Sequence, residues 1–189
     1  MPESVAFTVL KAATIVSSIG LFASPAPDLL SIHRSKAVGE VSVFPLVSMF
    51  GCGFIWVVYG ILINNIFPVV ITNVLGVLAS SFYISVYLYH MPARRDVLTL
   101  LAWVALGLAG VMIYADLGAS GITGLSNKQT GKVVGFVAVA VNIVLYGSPF
   151  ETIAKVLRTK SVSSLPIALC LVAMLNCTLW ALYGILDND

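Results

Sequence analysis

The feature that most constrains this chain is a long segment without charge. No Asp, Glu, Lys or Arg occurs between Glu40 and Arg94. As one helix this segment would be about 80 Å long, whereas a hydrocarbon core about 30 Å thick is crossed by roughly 20 apolar residues. Asn64 and Pro68 interrupt the segment near its middle and predict a turn there. The segment therefore predicts two consecutive membrane spans, at residues 41–63 and 66–90.

The composition extends this interpretation to the whole chain. Hydrophobic residues make up 59% and charged residues 10%, against roughly 25% charged residues in a soluble domain, and the mean hydropathy is +1.03. The sequence predicts an all-α, polytopic membrane helix bundle. Its other spans are predicted at residues 6–24, 97–115, 133–150 and 163–186, with a polar loop at 118–130.

Lys and Arg predict the orientation, because cytoplasmic loops are enriched in both. With the N-terminus outside, the inside loops hold seven of these residues and the outside loops two. The inside set is Arg34, Lys36, Arg94, Arg95, Lys155, Arg158 and Lys160, and the outside pair is Lys128 and Lys132. The plasma membrane is the expected location, with an endomembrane as the alternative. The net charge of +2 gives no indication of nucleic-acid binding.

The second half of the chain repeats the first at an offset of 124 residues. The first span matches the fifth and the second matches the sixth, so the two repeats share one orientation and the fourth span is a linker. We predict a first three-helix repeat at 1–96, the linker helix and loop at 97–130, and two helices of a second repeat at 131–189. The matched pairs include Pro25 with Pro149, Arg34 with Arg158, Trp56 with Trp180, and Tyr59 with Tyr183.

This pattern resembles the SWEET sugar transporters, which have three helices, a linker helix and three more helices. The resemblance covers essentially the whole chain. It rests on Ser24-Pro25, Phe44-Pro45, Trp56-x-x-Tyr59-Gly60, Asn73-Val-Leu-Gly76, Gly147-Ser148-Pro149 and Trp180-x-x-Tyr183-Gly184. The repeat also predicts a seventh span, with a partner for Asn73 at position 197. The 189 residues alone are therefore expected to transport poorly.

Candidate substrate contacts are polar and aromatic residues inside the spans. Asn73 offers donors and an acceptor to a sugar hydroxyl, or alternatively makes an interhelical hydrogen bond. Trp56 and Trp180 suit the apolar face of a pyranose, or alternatively lie in an interfacial belt. The resemblance implies that Asn73 binds the sugar and that the two indole rings sandwich it. The expected lining is completed by Cys52, Asn176, Leu21 and Leu145.

Four prolines lie near the predicted inner ends of the spans. They either act as hinges of an inner gate, because each removes a backbone donor, or simply mark helix ends. The resemblance implies the same proline tetrad, and it implies an outer gate formed by Tyr59 and Asp189. The four prolines are Pro25, Pro45, Pro149 and Pro166.

The predicted function is facilitative uniport of mono- or disaccharides by alternating access. Ionisable groups inside spans commonly mark proton relays, and no carboxylate pair lies within a span. We expect no enzymatic activity, cofactor or metal site, and we expect a homo-oligomer. The alternatives are a related three-helix-repeat transporter of another solute, and a non-transporting assembly protein that associates through Gly131-x-x-x-Gly135.

Overall fold

The computed structural model describes the backbone of residues 4–39, 41–159 and 167–187, and the side chains of 4–39, 41–143 and 171–187. These parts are helical, which confirms the all-α membrane fold class. A π-helical turn, Ile66–Val70, leads into the fourth α-helix. The α-helices are α1 Val5–Ala23, α2 Ala26–Ser35, α3 Phe44–Leu62, α4 Ile71–His90, α5 Arg95–Ala119, α6 Asn127–Thr159 and α7 Ile167–Asp187.

Within the described residues, four helical segments are long and apolar enough to cross a membrane. Their positions match the first four predicted spans, and the third has the predicted bounds. A shorter apolar helical stretch, Leu171–Asp187, lies in the predicted sixth span. The four long segments are Val5–Ser35, Phe44–Leu62, Ile66–His90 and Arg95–Ala119.

The predicted loop at 118–130 is too long. α5 extends to Ala119, beyond residue 115 where the fourth span was predicted to end, and α6 already begins at Asn127. The early start has a local cause. The Gln129 side-chain oxygen accepts from the Ser126 backbone N–H at 2.9 Å, while the Gln129 backbone N–H donates to Ser126 Oγ at 3.3 Å. This reciprocal arrangement is a capping box, and it satisfies donors that a helix N-terminus would otherwise leave unpaired.

The sequence analysis missed α2. Its end signals are present, with Asp28 in the first turn, Arg34 in the last turn and Lys36 closing the helix at φ +58°. Both charges complement the helix dipole. Leu29 and Ile32 are buried in a core cluster with residues of α3, α4 and α5. α2 therefore exists because an amphipathic segment follows the break at Pro25.

The fifth span was predicted at residues 133–150, and its predicted end at residue 150 was wrong. α6 runs as one helix from Asn127 to Thr159 and passes through Pro149 without interruption. At the matched position in the first repeat, Pro25 separates α1 from α2. The two copies of the repeat therefore differ in helix continuity at the same proline.

The chain forms two compact units. Unit 1 contains the chain up to Ser24 and from Gly147 onward, and so includes α1 and α7. Unit 2 contains Pro25–Tyr146, which includes α2 to α5 and the first part of α6. These units differ from the sequence repeats, because α1 comes from the first repeat and α7 from the second.

Within unit 2, α3 packs closely against its neighbours because it carries glycines at the contacts. A Cβ atom on Gly60 would lie 2.8 Å from Val70 Cγ2, and one on Gly53 would lie 3.2 Å from Val77 Cγ2. A Cβ atom on Gly51 would lie 3.1 Å from Val104 Cγ1 of α5. Small residues allow such approach between helices in a membrane, where packing replaces the hydrophobic effect between helices.

Candidate functional site

Unit 1 contains a polar network between α1 and α7. The hydroxyls of Ser17 and Ser18 lie 2.8 Å and 2.9 Å from Asn176 Oδ1. The indole N–H of Trp180 donates to Ser18 Oγ at 2.9 Å. Ser18 is 2% exposed, whereas Ser17, Asn176 and Trp180 are half-buried. Asn176 and Trp180, both predicted site residues, therefore meet at Ser18.

An aromatic cluster lies next to this network, at Tyr183, three residues after Trp180 on α7. The rings of Phe7 and Tyr183 stack with centroids 5.6 Å apart, and Trp180 contacts Tyr183 edge-on at 5.7 Å. The Tyr183 hydroxyl donates to Asp187 at 2.9 Å, and Lys11 Nζ lies 4.8 Å from the centre of the Phe7 ring. Stacking and the tyrosine hydrogen bond hold the Tyr183 ring beside Trp180, which limits the rotamers open to the indole.

Unit 2 contains a matching polar contact between α3 and α6. Cys52 Sγ lies 2.8 Å from Asn142 Oδ1, and Cys52 is 5% exposed. Cys52 was a predicted site residue, whereas Asn142 was missed. The available signal for Asn142 was a carboxamide within the apolar span predicted at 133–150. Its repeat partner at the offset of 124 is Ser18, which was also not predicted.

The two polar contacts occupy equivalent positions. In unit 1, Ser18 faces Asn176, and in unit 2 the repeat partners Asn142 and Cys52 face each other. The positions one turn earlier, Thr14 and its repeat partner Ala138, are both fully buried at 0% exposure. Each compact unit thus joins a helix of one repeat to a helix of the other, with a polar pair at the same depth along both helices.

Asn73 lies on α4 of unit 2 and is half-buried. Its side-chain amide donates to the Val69 carbonyl of its own helical segment at 2.9 Å. No interhelical hydrogen bond of Asn73 occurs among the described side chains, so the structure gives no support to the alternative reading. The Asn73 carboxamide oxygen accepts no hydrogen bond from the described residues and can receive one from a ligand hydroxyl.

The Trp56 ring packs edge-on against Tyr59 at a centroid distance of 5.2 Å. Tyr59 in turn lies against Gly135, where an added Cβ would approach its ring carbon to 2.8 Å. An added Cβ on Gly131 would lie 2.7 Å from Ile63. The Gly131-x-x-x-Gly135 motif therefore packs α6 on α3 within this chain, and both glycines are buried there.

The prolines occupy different helix positions. Pro25 lies between α1 and α2, Pro45 is the second residue of α3, and Pro149 lies within α6. At Pro45 the missing N–H costs nothing, because the first turn of a helix leaves its donors unpaired. Leu21, predicted for the lining, is half-buried in the last turn of α1. The Leu145 and Pro149 side chains, Pro166, Asp189 and the expected Tyr59–Asp189 contact lie outside the described residues.

The described residues show no group of three or more His, Cys, Asp or Glu side chains that could hold a metal. The site chemistry available in both units is hydrogen bonding and aromatic contact. Side chains of this kind, placed on helices that are long and apolar enough to cross a membrane, define a polytopic membrane protein with polar groups inside its spans.

Comparison with known proteins gives the family. Residues 8–95 and 132–189 match the family model described as "Sugar efflux transporter for intercellular exchange", and the chain belongs to this SWEET family. It is 30% identical to bidirectional sugar transporter SWEET16 of Arabidopsis thaliana, over 92% of this chain and 75% of that protein. It is 31% identical to SWEET8 of the same organism, over 90% and 72%.

A solved structure of a eukaryotic SWEET transporter matches the fold with a TM-score of 0.81. The match covers 98% of this chain and 86% of that chain, at 23% sequence identity. The likeness shows the fold. The apolar helices and the family membership together show an integral, multi-pass membrane protein. The resemblance identified from the sequence motifs is likewise confirmed.

Proposed function

We propose that this protein moves mono- or disaccharides down their gradient by alternating access. The observation that carries the proposal is the repeated polar pair, Ser18 with Asn176 and Asn142 with Cys52. In each pair, one residue lies one helical turn before a tryptophan and on the same face of its helix. Asn176 precedes Trp180 on α7, and Cys52 precedes Trp56 on α3. A sugar has hydroxyls for such carboxamides and an apolar ring face for such indoles.

Free hydrogen-bonding capacity at three asparagines supports a polar substrate. The amide nitrogens of Asn176 and Asn142 donate no hydrogen bond within the described part of the chain, although both carboxamide oxygens are engaged. Asn73 has the opposite arrangement, with its nitrogen engaged and its oxygen open. Leaving donors and acceptors unpaired inside a membrane protein is costly, and in each unit a substrate hydroxyl could pair with such a group.

The division into units supports the hinge proposal. The chain passes from one compact unit to the other at Ser24–Pro25 and again at Tyr146–Gly147. The first passage lies at Pro25 and the second lies just before Pro149. Each proline removes one backbone hydrogen bond, so bending is easiest where the chain joins the two units. We propose that alternating access uses these two positions.

Uniport, topology and assembly are proposed from the distribution of charge and the family plan. Uniport is supported by the charge-free run between Glu40 and Arg94, because proton-coupled carriers commonly hold acids within their spans. The bias of Lys and Arg supports an outside N-terminus. We propose the plasma membrane as the location and a homo-oligomer as the working assembly.

The proposal is tested by uptake of labelled glucose and sucrose in cells that lack their own sugar transport. Asn73→Ala should abolish uptake, because it removes the open acceptor on α4. Surface expression and thermal stability of the purified variant should stay close to wild type, since the deleted side chain bonds only to its own helix.

Ser85→Ala is the matched control. Ser85 is exposed on the same helix, and its hydroxyl likewise donates to the backbone one turn earlier, at 2.8 Å from the Ser81 carbonyl. This variant should transport as wild type. Normal sugar uptake by well-expressed Asn73→Ala would contradict the proposed role of Asn73.

A further inference from the structure

A second feature of unit 2 is a hollow where α2 and α4 end and α5 begins. It is lined by residues 36–39 on one side, and by residues 89–92 and Arg94 on the other. Its volume is about 540 Å³, within the range of about 300–1,000 Å³ typical of small-molecule pockets. The hollow opens at the surface rather than into the helix bundle, and none of its residues belongs to the sugar site proposed above.

The charged side chains that line this hollow, among the described residues, are positive. Lys36 and Arg94 line it, and neither forms an ion pair with a carboxylate within the part of the chain that the structure describes. Arg94 uses its Nε–H for the Met91 carbonyl, at 3.3 Å. Its two terminal nitrogens donate no hydrogen bond within the described part of the chain, and a guanidinium can bind two phosphate oxygens in parallel.

Histidines supply further donors at the same place. His90 lines the hollow, and its Nε2 lies 3.2 Å from Nδ1 of His33 on α2. One proton shared in this contact ties α2 to α4, and it leaves the other ring nitrogen of His90 for a further contact. The hollow is therefore formed by side chains from three helix ends that are already connected.

Helix dipoles alone explain part of this charge. Lys36 and His90 lie at the C-terminal ends of α2 and α4, where a partial charge of about −0.5 favours cations. Arg94, by contrast, precedes the N-terminus of α5, where a cation is disfavoured by the same effect. The bias of Lys and Arg toward inside loops accounts for a cation in this turn. An anion bound in the hollow would use that cation together with Lys36.

The rim of the hollow has the character of a membrane interface. Tyr89 is 75% exposed beside it, and tyrosines of this kind lie at the headgroup level of a bilayer. Val38 and Met91 add apolar surface to the lining. Basic pockets between helix ends, with apolar surface alongside, suit lipids that carry phosphate on the headgroup.

We propose that this hollow binds a phosphate monoester group, presented by an anionic lipid such as a phosphatidylinositol phosphate. Lys36 and Arg94 neutralise the phosphate, and Tyr89 lies against the lipid beside the headgroup. The bound group connects the end of α2 to the turn before α5. The proposal is independent of sugar transport, and it concerns unit 2 alone.

The test uses the full chain solubilised in detergent. A water-soluble, short-chain phosphatidylinositol phosphate is titrated, and binding is measured by calorimetry and by the rise in melting temperature that follows when a ligand binds only the folded state. Inorganic phosphate is titrated in parallel, because the same cations could bind a free anion. Tighter binding of the lipid than of inorganic phosphate is expected, with affinity that falls as salt is raised.

Lys36→Ala and Arg94→Ala should each weaken lipid binding about fivefold, since a basic residue near a membrane surface contributes about 1 kcal/mol. Lys128→Ala and Lys132→Ala are the matched controls, because both are exposed and lie after the opposite end of α5. They should leave lipid binding unchanged. Melting temperatures of the ligand-free variants show that each one is folded.

Three results would overturn the proposal. Binding of the lipid that is equal in wild type and in the Lys36 and Arg94 variants would place the lipid elsewhere. Equal weakening by the Lys128 and Lys132 variants would show a non-specific charge effect. Binding of inorganic phosphate as tight as that of the lipid would replace the lipid headgroup with a free anion.

Discussion

At the scale of single residues, Ser18 connects α1 to α7 in unit 1 through two side-chain contacts. Its hydroxyl accepts from the Trp180 indole at 2.9 Å and lies 2.9 Å from Asn176 Oδ1. Ser18→Ala leaves the indole N–H without this acceptor at a buried position. We expect the free energy of unfolding to fall by about 1 kcal/mol, the size of interhelical hydrogen bonds in membranes. Chemical or thermal unfolding in detergent measures it.

A double-mutant cycle isolates the contact from other effects. Trp180→Phe keeps an aromatic ring and removes the N–H, so the combination with Ser18→Ala should cost less than the sum of the two single changes. Trp103→Phe is the control, since Trp103 is 69% exposed on α5. Full additivity of the Ser18 and Trp180 changes would show that the contact contributes nothing to stability.

At the scale of elements, α3 is a helix whose close packing depends on its glycines. An added methyl on Gly60 would lie 2.8 Å from Val70 Cγ2 and 3.2 Å from the Asn65 carbonyl. Because the carbonyl is backbone, it cannot rotate away. Gly60→Ala should therefore lower the free energy of unfolding by about 1–3 kcal/mol, as overpacking typically does, and the melting temperature in detergent measures this.

Gly107→Ala, in the middle of α5, is the matched control for this substitution. An added Cβ on Gly107 meets nothing within 4 Å, and alanine has the higher helix propensity. This variant should be as stable as wild type or slightly more stable. Equal destabilisation by both alanines would mean that close packing of α3 on the π-helical turn is not the cause.

At the scale of the whole molecule, the arrangement of charge bears on how transport is driven. No Asp, Glu, Lys or Arg lies between Glu40 and Arg94, and Asp116 lies within three residues of the end of α5. Without an acid in this run, the spans at residues 41–63 and 66–90 have no carboxylate to carry a proton alongside the sugar. Uptake of labelled sugar should therefore be insensitive to a protonophore.

The measurement needs a known proton-coupled carrier, assayed in parallel, that loses its uptake under the same treatment. Loss of uptake by this protein as well would contradict uniport.

The sequence alone determined the membrane spans and the repeat. Span length and apolarity are local properties, because bilayer thickness sets both, and the third span was placed with its observed bounds at residues 66 and 90. The offset of 124 residues between matching motifs could also be found from the sequence alone. α2 was missed because an amphipathic helix of 10 residues is too short and too polar to be recognised as a membrane span.

Only the tertiary structure decided which helices meet and through which residues. It paired α1 with α7 and brought Ser18 to Asn176 and Trp180, and it brought Cys52 to Asn142. In a soluble protein the apolar face of a helix indicates what it packs against. In a membrane the lipid is as apolar as a neighbouring helix, so the two faces look alike in the sequence. Partner choice rests instead on close packing at glycines and on single hydrogen bonds, and these become visible only when the helices are assembled.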